Sequence, residues 1–221
     1  MALSEQEIIR REKLQGLRNL GINPYPADLF PVNHTSKQIK ENFEEGKKVI
    51  VAGRLMSVRD QGKACFAELQ DSEGRIQLYV NRDVLCEGDD KTLYNQVFKK
   101  LTDLGDFIGI EGELFTTQVG AKCIRVSGFT FLSKTLRPLP LPKVDEDGKV
   151  HDAFNDAELR YRMRYVDLTV NQNVKDTFIK RTKLFNAMRG FFNEAGYLEV
   201  ETPVLQSIPG GAAARPFITH H

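Results

Sequence analysis

The stretch from Ala64 to Asn81, ACFAELQDSEGRIQLYVN, constrains the fold more than any other part of the chain. It contains two short runs separated by Asp71, Ser72, Glu73 and Gly74, residue types that close tight turns between antiparallel strands. Apolar residues alternate with polar ones along both runs, which predicts a β-hairpin with one core face. The residues predicted to face the core are Cys65, Ala67, Leu69, Ile76, Leu78 and Val80.

Phe66 departs from this pattern, because its position places the ring on the polar face of the hairpin. Its predicted neighbours on that face are Arg75, Gln77 and Tyr79. An aromatic ring among such side chains can stack on a nucleic-acid base. The alternative is a barrel corner that buries the ring and gives it a purely structural role. The hairpin alone favours neither interpretation.

Composition limits the class of protein. The chain has 221 residues, 41% of them hydrophobic and 28% charged, which is typical of one large or two ordinary globular domains. A net charge of +1 excludes a generally polybasic nucleic-acid binder, so any such role must depend on local clustering. The sequence has neither a membrane-spanning apolar run nor a signal peptide, and its three cysteines are odd in number and widely spaced. We therefore expect reduced thiols in a cytoplasmic protein.

The N-terminal segment predicts a helix. Ser4 and Glu7 form a capping box, and the helix is expected to continue to about Leu20 and end at Gly21. The helix is basic. Its cationic residues are Arg10, Arg11, Lys13 and Arg18. A solvated face is the simpler interpretation. Contact with phosphates is the alternative, and it gains weight only if the neighbouring domain binds RNA.

A second short helix is predicted where Thr35 and Gln38 repeat the capping-box pattern, with Gly46 as its end. Before it, the run Asn23-Pro24-Tyr25-Pro26 cannot adopt regular structure and is expected to act as a linker. Residues 1–47 are thus predicted to form an N-terminal helical extension.

The middle of the chain, residues 48–133, has mostly β-strand patterns. A long strand over Val49–Arg59 is expected to bulge at Gly53 before the hairpin. Helical spacing follows at residues 93–101, and two further strands are predicted around a turn at Gly120. Three strands, a helix and two strands is the order of the OB-fold, a small five-stranded Greek-key barrel.

The OB-fold prediction bears on Phe66. In that fold the face of strands 2 and 3 is the usual binding surface, and this face carries Phe66, Arg75, Gln77 and Tyr79. Arg59 lies at the mouth of the preceding hairpin. The predicted topology and the position of Phe66 on the polar face thus point to the same surface. A base-binding role for Phe66 is therefore favoured over a structural one.

The character of the chain changes after the proline-rich segment Leu136–Gly148, and residues 134–155 are predicted to be a linker. Asp156 is a plausible cap for a helix through DAELRYRMRYVDL. A much longer helix is predicted over Asn173–Ala195. Its apolar stripe comprises Val174, Phe178, Leu184, Phe185, Met188, Phe191 and Phe192.

Gly196 is predicted to end this helix, followed by a strand over Tyr197–Glu201 that Pro203 interrupts. Pro209-Gly210-Gly211 predicts a flexible loop. Residues 156–221 read as the beginning of a domain rather than a finished one. The adjacent His220 and His221 indicate either a metal pair or a tag remnant, and without other ligands the evidence for a metal site is weak.

Three strings in this order resemble bacterial lysyl-tRNA synthetases of class IIb: RPLP, DAELRYRMRYVDL and GYLEVETPVLQSIPGGAAARPFITHH. The resemblance covers essentially the whole chain. It implies an α+β fragment with N-terminal helices, a five-stranded anticodon-binding OB barrel and the truncated start of a class II antiparallel α/β catalytic domain. The string IPGGAAARPF discriminates best, since the related aspartyl and asparaginyl enzymes differ there.

The resemblance assigns roles to particular residues. Phe66 matches the aromatic that stacks on the central anticodon uracil, and Arg59 and Gln77 match side chains that hydrogen-bond that nucleotide. Gly210 matches a glycine whose backbone helps to hold the substrate lysine. One position departs from the family: Ala121 occurs where many members have a glutamate that reads the first anticodon base. Recognition of that base is therefore expected to be looser or to use another residue.

GYLEVETP resembles class II motif 1, which implies a homodimer interface that includes Phe191, Gly196 and Pro203. The implied reaction joins L-lysine and ATP to form lysyl-adenylate and then transfers the lysyl group to tRNA(Lys). Motifs 2 and 3, the lysine-specificity residues and the Mg²⁺ ligands are expected beyond His221. The 221 residues are thus expected to bind tRNA without catalysing the reaction alone.

Two other functions fit the sequence less well. One is a stand-alone OB module that binds tRNA or single strands, which a stop codon just after His221 would favour. The other is a synthetase paralogue that modifies a protein or a lipid. Paralogues acting on proteins generally lack the OB barrel, and those acting on lipids carry membrane segments.

Overall fold

The computed structural model describes residues 3–144, 150, 151, 153–205, 217 and 219. The chain divides into two compact units, Met1–Leu141 and Pro142–His221. None of the helices in the described ranges is both long and apolar enough to cross a membrane.

The first unit is built around a closed barrel of five strands. They are β1 (Lys48–Asp60), β2 (Ala64–Gln70), β3 (Arg75–Asn81), β4 (Phe107–Thr116) and β5 (Lys122–Ser133). The strand order is β1-β2-β3-β5-β4, and β3 and β5 form the parallel pair in an otherwise antiparallel barrel. This topology confirms the OB-fold prediction.

Alternation along the strands places the core inside the barrel. In the hairpin, Leu69 pairs with Ile76 and Ala67 with Leu78, and all four side chains are buried as predicted. A helix over Leu93–Leu101 connects β3 to β4 and ends with a bond from the Thr102 amide to the Val97 carbonyl, five residues back, which is π-helical geometry. The predicted helix is therefore confirmed in place, with wider turns than an α-helix.

The role predicted for Gly53 is wrong. The irregularity in β1 falls between Leu55 and Ser57, where the register with β2 shifts at Met56. A Cβ atom at Gly53 would lie 2.4 Å from the Gln70 carbonyl oxygen. Gly53 is thus required because the backbone of β2 approaches closely, rather than because the strand bulges there.

Two N-terminal helices precede the barrel. The first, α1 (Glu5–Asn19), has the predicted capping box between Ser4 and Glu7. The second, α2 (Ser36–Glu41), is capped by Thr35 as predicted, but it ends at Asn42, before Gly46. The Gly46 amide instead bonds to the Leu114 carbonyl on β4 and leads the chain into β1. A short helix α3 (Arg82–Leu85) follows β3.

Both interpretations of Arg10, as a solvated or a phosphate-contacting side chain, are wrong. Arg10 is buried, and its guanidinium donates to the carbonyl oxygens of Leu104 and Thr135, each at 3.0 Å. Lys13 is ion-paired to Asp103 at 2.5 Å. These contacts attach α1 to the barrel, so two of the four predicted surface cations have structural roles.

A buried lysine completes this attachment. Lys134, at the end of β5, contacts Asp103 at 2.6 Å, Asp106 at 2.7 Å and the Leu101 carbonyl at 2.9 Å. Burial raises the pKa of Asp106 despite its contact with the lysine ammonium. Burial would also raise the pKa of Asp103, but the ammonium groups of Lys13 and Lys134 outweigh it and lower that pKa.

The second unit begins with a two-stranded ribbon, β6 (Lys143–Val144) and β7 (Val150–His151). Three helices follow: α4 (Ala157–Arg162), α5 (Arg164–Val170) and α6 (Gln172–Glu194). The single helix predicted through DAELRYRMRYVDL is therefore two helices that meet at Met163, although Asp156 caps the first as predicted. Buried Asp167 on α5 accepts hydrogen bonds from Arg160 on α4 and from Arg164 and Asn171, which links the two helices across the break.

The predictions for the end of the chain have mixed outcomes. Gly196 follows α6 with φ of +84°, which confirms it as the helix terminator. The predicted strand over Tyr197–Glu201 is wrong, because a strand needs a hydrogen-bonded neighbour and the described residues supply none there. Gly210, His220 and His221 lie outside the described residues.

Candidate nucleic-acid interface

The candidate interface is the outer face of the β2–β3 hairpin. Phe66 is paired in register with Tyr79 on one side and with Arg59 on the other. Its ring is only partly buried and lies 5.2 Å from the Tyr79 ring, centroid to centroid. The interpretation that a barrel corner buries Phe66 is therefore wrong.

The structure brings the three predicted anticodon-binding residues together. Arg59, Phe66 and Gln77 line one open pocket of about 480 Å³ across β1, β2 and β3. The other lining residues are Ser57, Val58, Ala67 and Glu68. The pocket therefore offers an aromatic surface, a cation and an amide within the space of one planar ligand.

The β1–β2 turn, which follows Arg59, is held in place by the π-helix over Leu93–Leu101. Lys99 forms an ion pair with Asp60 at 2.6 Å, and the Tyr94 hydroxyl donates to the Gly62 carbonyl at 3.0 Å. The hydrogen bond from Lys99 holds the pKa of Asp60 below its ordinary value. The β1–β2 turn is thus anchored on both sides, and the backbone of Arg59 is held beside the pocket.

Gln77 is oriented by a residue that the sequence reasoning missed. The Cys123 thiol on β5 donates to Gln77 Oε1 at 3.2 Å, and the two residues are paired in register across the parallel strands. Burial raises the pKa of this thiol to about 11, so the sulfur keeps its proton at neutral pH. The alternating pattern of β5 is the signal for this residue, because it places Cys123 on the outer face, opposite to Ile124.

The aromatic surface continues beyond the predicted residues. Tyr79 contacts Phe115 edge to face at 5.7 Å, and the Arg125 guanidinium lies 4.6 Å above the Phe115 ring. Arg125 also forms an ion pair with Glu113 at 2.8 Å. The parity of β4 and β5 could have revealed this extension, because Glu113 and Phe115 share one face and Cys123 and Arg125 share the adjoining one.

Arg75 lies on the same face but is engaged with its neighbours. Its guanidinium contacts Glu68 and Gln70, each at 2.9 Å. Ala121, where the family resemblance predicts a glutamate, is held in the β4–β5 turn by two hydrogen bonds with Thr117. Its methyl side chain offers no hydrogen bond to a base.

Three of the predicted residues belong to the second unit and lie on or after α6. Phe191 on α6 is 67% exposed, Gly196 terminates that helix, and Pro203 follows in exposed irregular chain. Among the described residues, no group of three His, Cys, Asp or Glu side chains is placed to hold a metal ion. The described residues therefore do not fit a magnesium site.

Comparison with known proteins agrees with this geometry. Residues 49–132 match the OB-fold nucleic acid binding domain family, and residues 156–221 match the class II tRNA synthetases (D, K and N). A lysine–tRNA ligase of Christiangramia forsetii is 71% identical over 219 residues, which cover 99% of this chain and 38% of that protein. A lysine–tRNA ligase of Porphyromonas gingivalis is 60% identical, with 100% and 39% covered.

The lysine–tRNA ligase of Azobacteroides pseudotrichonymphae is also 60% identical, over 99% of this chain and 44% of that protein. The chain thus spans about two fifths of the length of the curated relatives it matches. Identity of this level extends over practically all 221 residues, with the OB-fold segment before the class II segment. The chain is therefore similar, over practically its whole length, to part of the lysine–tRNA ligases, with one segment of the OB-fold family and one of the class II tRNA synthetases.

Proposed function

We propose that the barrel binds the anticodon of tRNA(Lys) and that the protein containing this chain is a lysine–tRNA ligase. The relatives bear that name, and the OB-fold and class II segments are the parts such an enzyme needs. The observation that carries the proposal is the pocket that the partly buried Phe66 lines together with Arg59 and Gln77.

The chemistry of the pocket suits an unpaired base. A splayed anticodon base exposes both its faces and its hydrogen-bonding edges, and aromatic side chains are the usual stacking partners. Phe66 would take one face of the base, while Arg59 and Gln77 would donate to its carbonyl oxygens. Uracil has two such oxygens, which fits the central base of a UUU anticodon.

The reaction itself is proposed for the whole protein. L-lysine and ATP would give lysyl-adenylate and pyrophosphate, and the lysyl group would then pass to the terminal ribose of the tRNA. ATP is a substrate and Mg²⁺ the proposed cofactor, which spreads charge on the phosphates when bound. Gly210 is proposed to approach the substrate lysine through its backbone, where a side chain would crowd the ligand.

A homodimer is proposed for the same protein, with Phe191, Gly196 and Pro203 at the interface. The exposed apolar face of α6 supports this, since such a face is normally covered in a finished assembly. A cytoplasmic location is proposed with it, because charging of tRNA supplies translation.

The anticodon proposal is tested by titrating the 221-residue chain with RNA stem-loops whose anticodons are UUU or UCU. The UUU loop should bind more tightly. Phe66→Ala should weaken its binding by about 1–3 kcal/mol, and Phe66→Tyr by much less, because tyrosine keeps a stacking ring. Leu29→Ala is the control, since it removes an exposed apolar side chain that is not among those lining the pocket. Equal affinity for the two loops would contradict the proposal.

A further inference from the structure

Cys123 has a position that packing alone does not require. It lies on the outer side of β5, opposite in parity to the core residues Ile124 and Val126, yet it is 0% exposed. Its thiol reaches Gln77 Oε1 at 3.2 Å. The buried Cys123 thiol thus donates to Gln77, the amide side chain of the pocket. An amide has an acceptor oxygen at one end and a donor NH₂ group at the other.

The orientation of Gln77 matters because of that opposite character. With Oε1 occupied by the thiol, the Nε2 group is the end available to a ligand, and it can only donate. If the amide turned over, the same position would present an acceptor. A donor there matches a carbonyl oxygen of uracil, whereas an acceptor would match the exocyclic amino group of cytosine.

The other neighbour of Gln77 is Glu68, which is paired with it in register across β2 and β3. The Glu68 Oε2 atom accepts from the Arg75 guanidinium at 2.9 Å, whereas the Gln77 Oε1 atom accepts from the Cys123 thiol. Cys123 therefore supplies the hydrogen bond that distinguishes the two amide orientations. The parallel pairing of β3 with β5, which closes the barrel, keeps the two residues side by side.

We propose that Cys123 is a positioning residue for base discrimination: its thiol holds the Gln77 amide with the NH₂ group toward the pocket and so favours uracil over cytosine. This inference rests on the proposed function of the hairpin face. Cys123 touches no base itself and acts through Gln77. The burial that keeps the thiol protonated makes the donor permanent over the physiological pH range.

The test uses Cys123→Val and Cys123→Ser in the 221-residue chain. Valine has a similar size and cannot donate, whereas serine keeps a donor. Each variant is titrated with the UUU and UCU stem-loops. For Cys123→Val, the affinity for UUU should fall about 2- to 12-fold, the usual net worth of one hydrogen bond, while that for UCU stays or rises. Cys123→Ser should keep the wild-type ratio of affinities within about twofold.

Cys86→Val is the matched control, because Cys86 is also buried and unpaired but lies in another part of the barrel unit. Cys86→Val should leave the ratio of the UUU and UCU affinities unchanged. A purely structural role for Cys123 predicts that valine weakens binding to both loops equally, which would overturn the inference. If Cys123→Val does not fold, as judged by circular dichroism, the ratio for Cys123→Ala decides, because alanine also lacks the donor.

Failure of the inference can be separated from failure of the proposed function. If the wild-type chain does not prefer UUU, or if Phe66→Ala leaves its binding unchanged, the anticodon role itself is wrong. If Phe66→Ala weakens binding and Gln77→Ala removes the preference, but Cys123→Val keeps it, the anticodon role stands and the positioning role is wrong. Side-chain amide NMR of Gln77 gives an independent check: one sharp NH₂ pair is expected in the wild type and exchange broadening in Cys123→Val.

Discussion

The barrel unit and the C-terminal unit contain similar kinds of apolar residue, but the barrel buries them and the C-terminal helix α6 exposes them. In the barrel, Leu78 and Ile108 are 0% exposed, because the closed sheet surrounds its own core. On α6, Leu184 is 60% and Phe191 67% exposed. A barrel has no free edge and completes itself, whereas an amphipathic helix is stable in an assembly only when another element covers its stripe.

The two units also treat charge differently. The barrel unit buries Lys134 between Asp103 and Asp106, at the place where α1 and the end of β5 meet. In the second unit, buried Asp167 pairs with the partly exposed Arg160 and Arg164. The pairs Glu158–Arg162 and Arg189–Glu199 are largely exposed. Buried pairs are costly to break, while exposed ones contribute little, so the Lys134 cluster should contribute more to stability than the two exposed pairs of the second unit.

The largest effect is expected from Lys134→Ala. Removing this ammonium leaves buried Asp106 without its cation and leaves Asp103 with Lys13 alone, which should lower the free energy of unfolding of the barrel unit by about 3–5 kcal/mol. Hydrogen exchange measured by mass spectrometry would follow the barrel strands and α6 separately. Exchange should accelerate in the strands and stay unchanged in α6.

The control for Lys134 is Lys37→Ala. Lys37 is paired with Glu41 at 3.9 Å, and both side chains are well exposed, so its loss should cost less than about 0.5 kcal/mol. A similar small effect of Lys134→Ala would show that the buried charges do not hold α1 and β5 to the barrel.

A matched pair of leucines compares the two apolar environments directly. Leu78→Ala in the barrel core should lower the free energy of unfolding by about 2–5 kcal/mol, since it removes buried methyl groups and leaves a cavity. Leu184→Ala on α6 should change it by less than about 0.5 kcal/mol. Urea unfolding followed by circular dichroism measures both. Equal costs would mean that the α6 stripe is covered in solution.

Sequence reasoning succeeded where one pattern had one physical solution. The alternation in the hairpin allowed only one register of inward residues, and the capping boxes at Ser4 and Thr35 fixed two helix starts. It failed where the outcome depended on distant contacts. Arg10 looks like a surface cation until Leu104 and Thr135 are brought beside it.

The candidate site shows the same division. Local alternation was enough to place Phe66 and Gln77 on one face, and strand order added Arg59. Cys123 and Phe115 are more than thirty residues from the hairpin in the chain, so only the register of β3 with β5 and of β5 with β4 brings them to it. The prediction for Gly53 was wrong because a glycine within a strand can mark either a bulge or a close backbone approach. Only the tertiary contact with Gln70 distinguishes the two.

A charge on the α6 stripe tests what covers it in the whole protein. In the 221-residue chain, Phe191→Glu should change the free energy of unfolding by less than about 0.5 kcal/mol, because the ring is largely exposed. In the full-length protein, Phe191→Glu should convert the proposed homodimer into a monomer, as measured by sedimentation. Lysine activation should then fall, while tRNA binding is kept. If the variant is folded by circular dichroism and still sediments as a dimer, Phe191 belongs to the core of its own subunit.

The smallest effect concerns the remaining cations of α1. Deletion of this helix would also remove the contacts of Arg10 and Lys13 that attach it to the barrel. Arg18, in contrast, is exposed at the end of the helix. Arg18→Gln should lower affinity for UUU and UCU stem-loops alike and reduce the salt slope of binding by up to about one unit, as expected for one lost phosphate contact. The stem-loops are titrated at several salt concentrations. An unchanged slope would show that α1 only supports the barrel, and a change in the ratio of the two affinities would show that it reads more than charge.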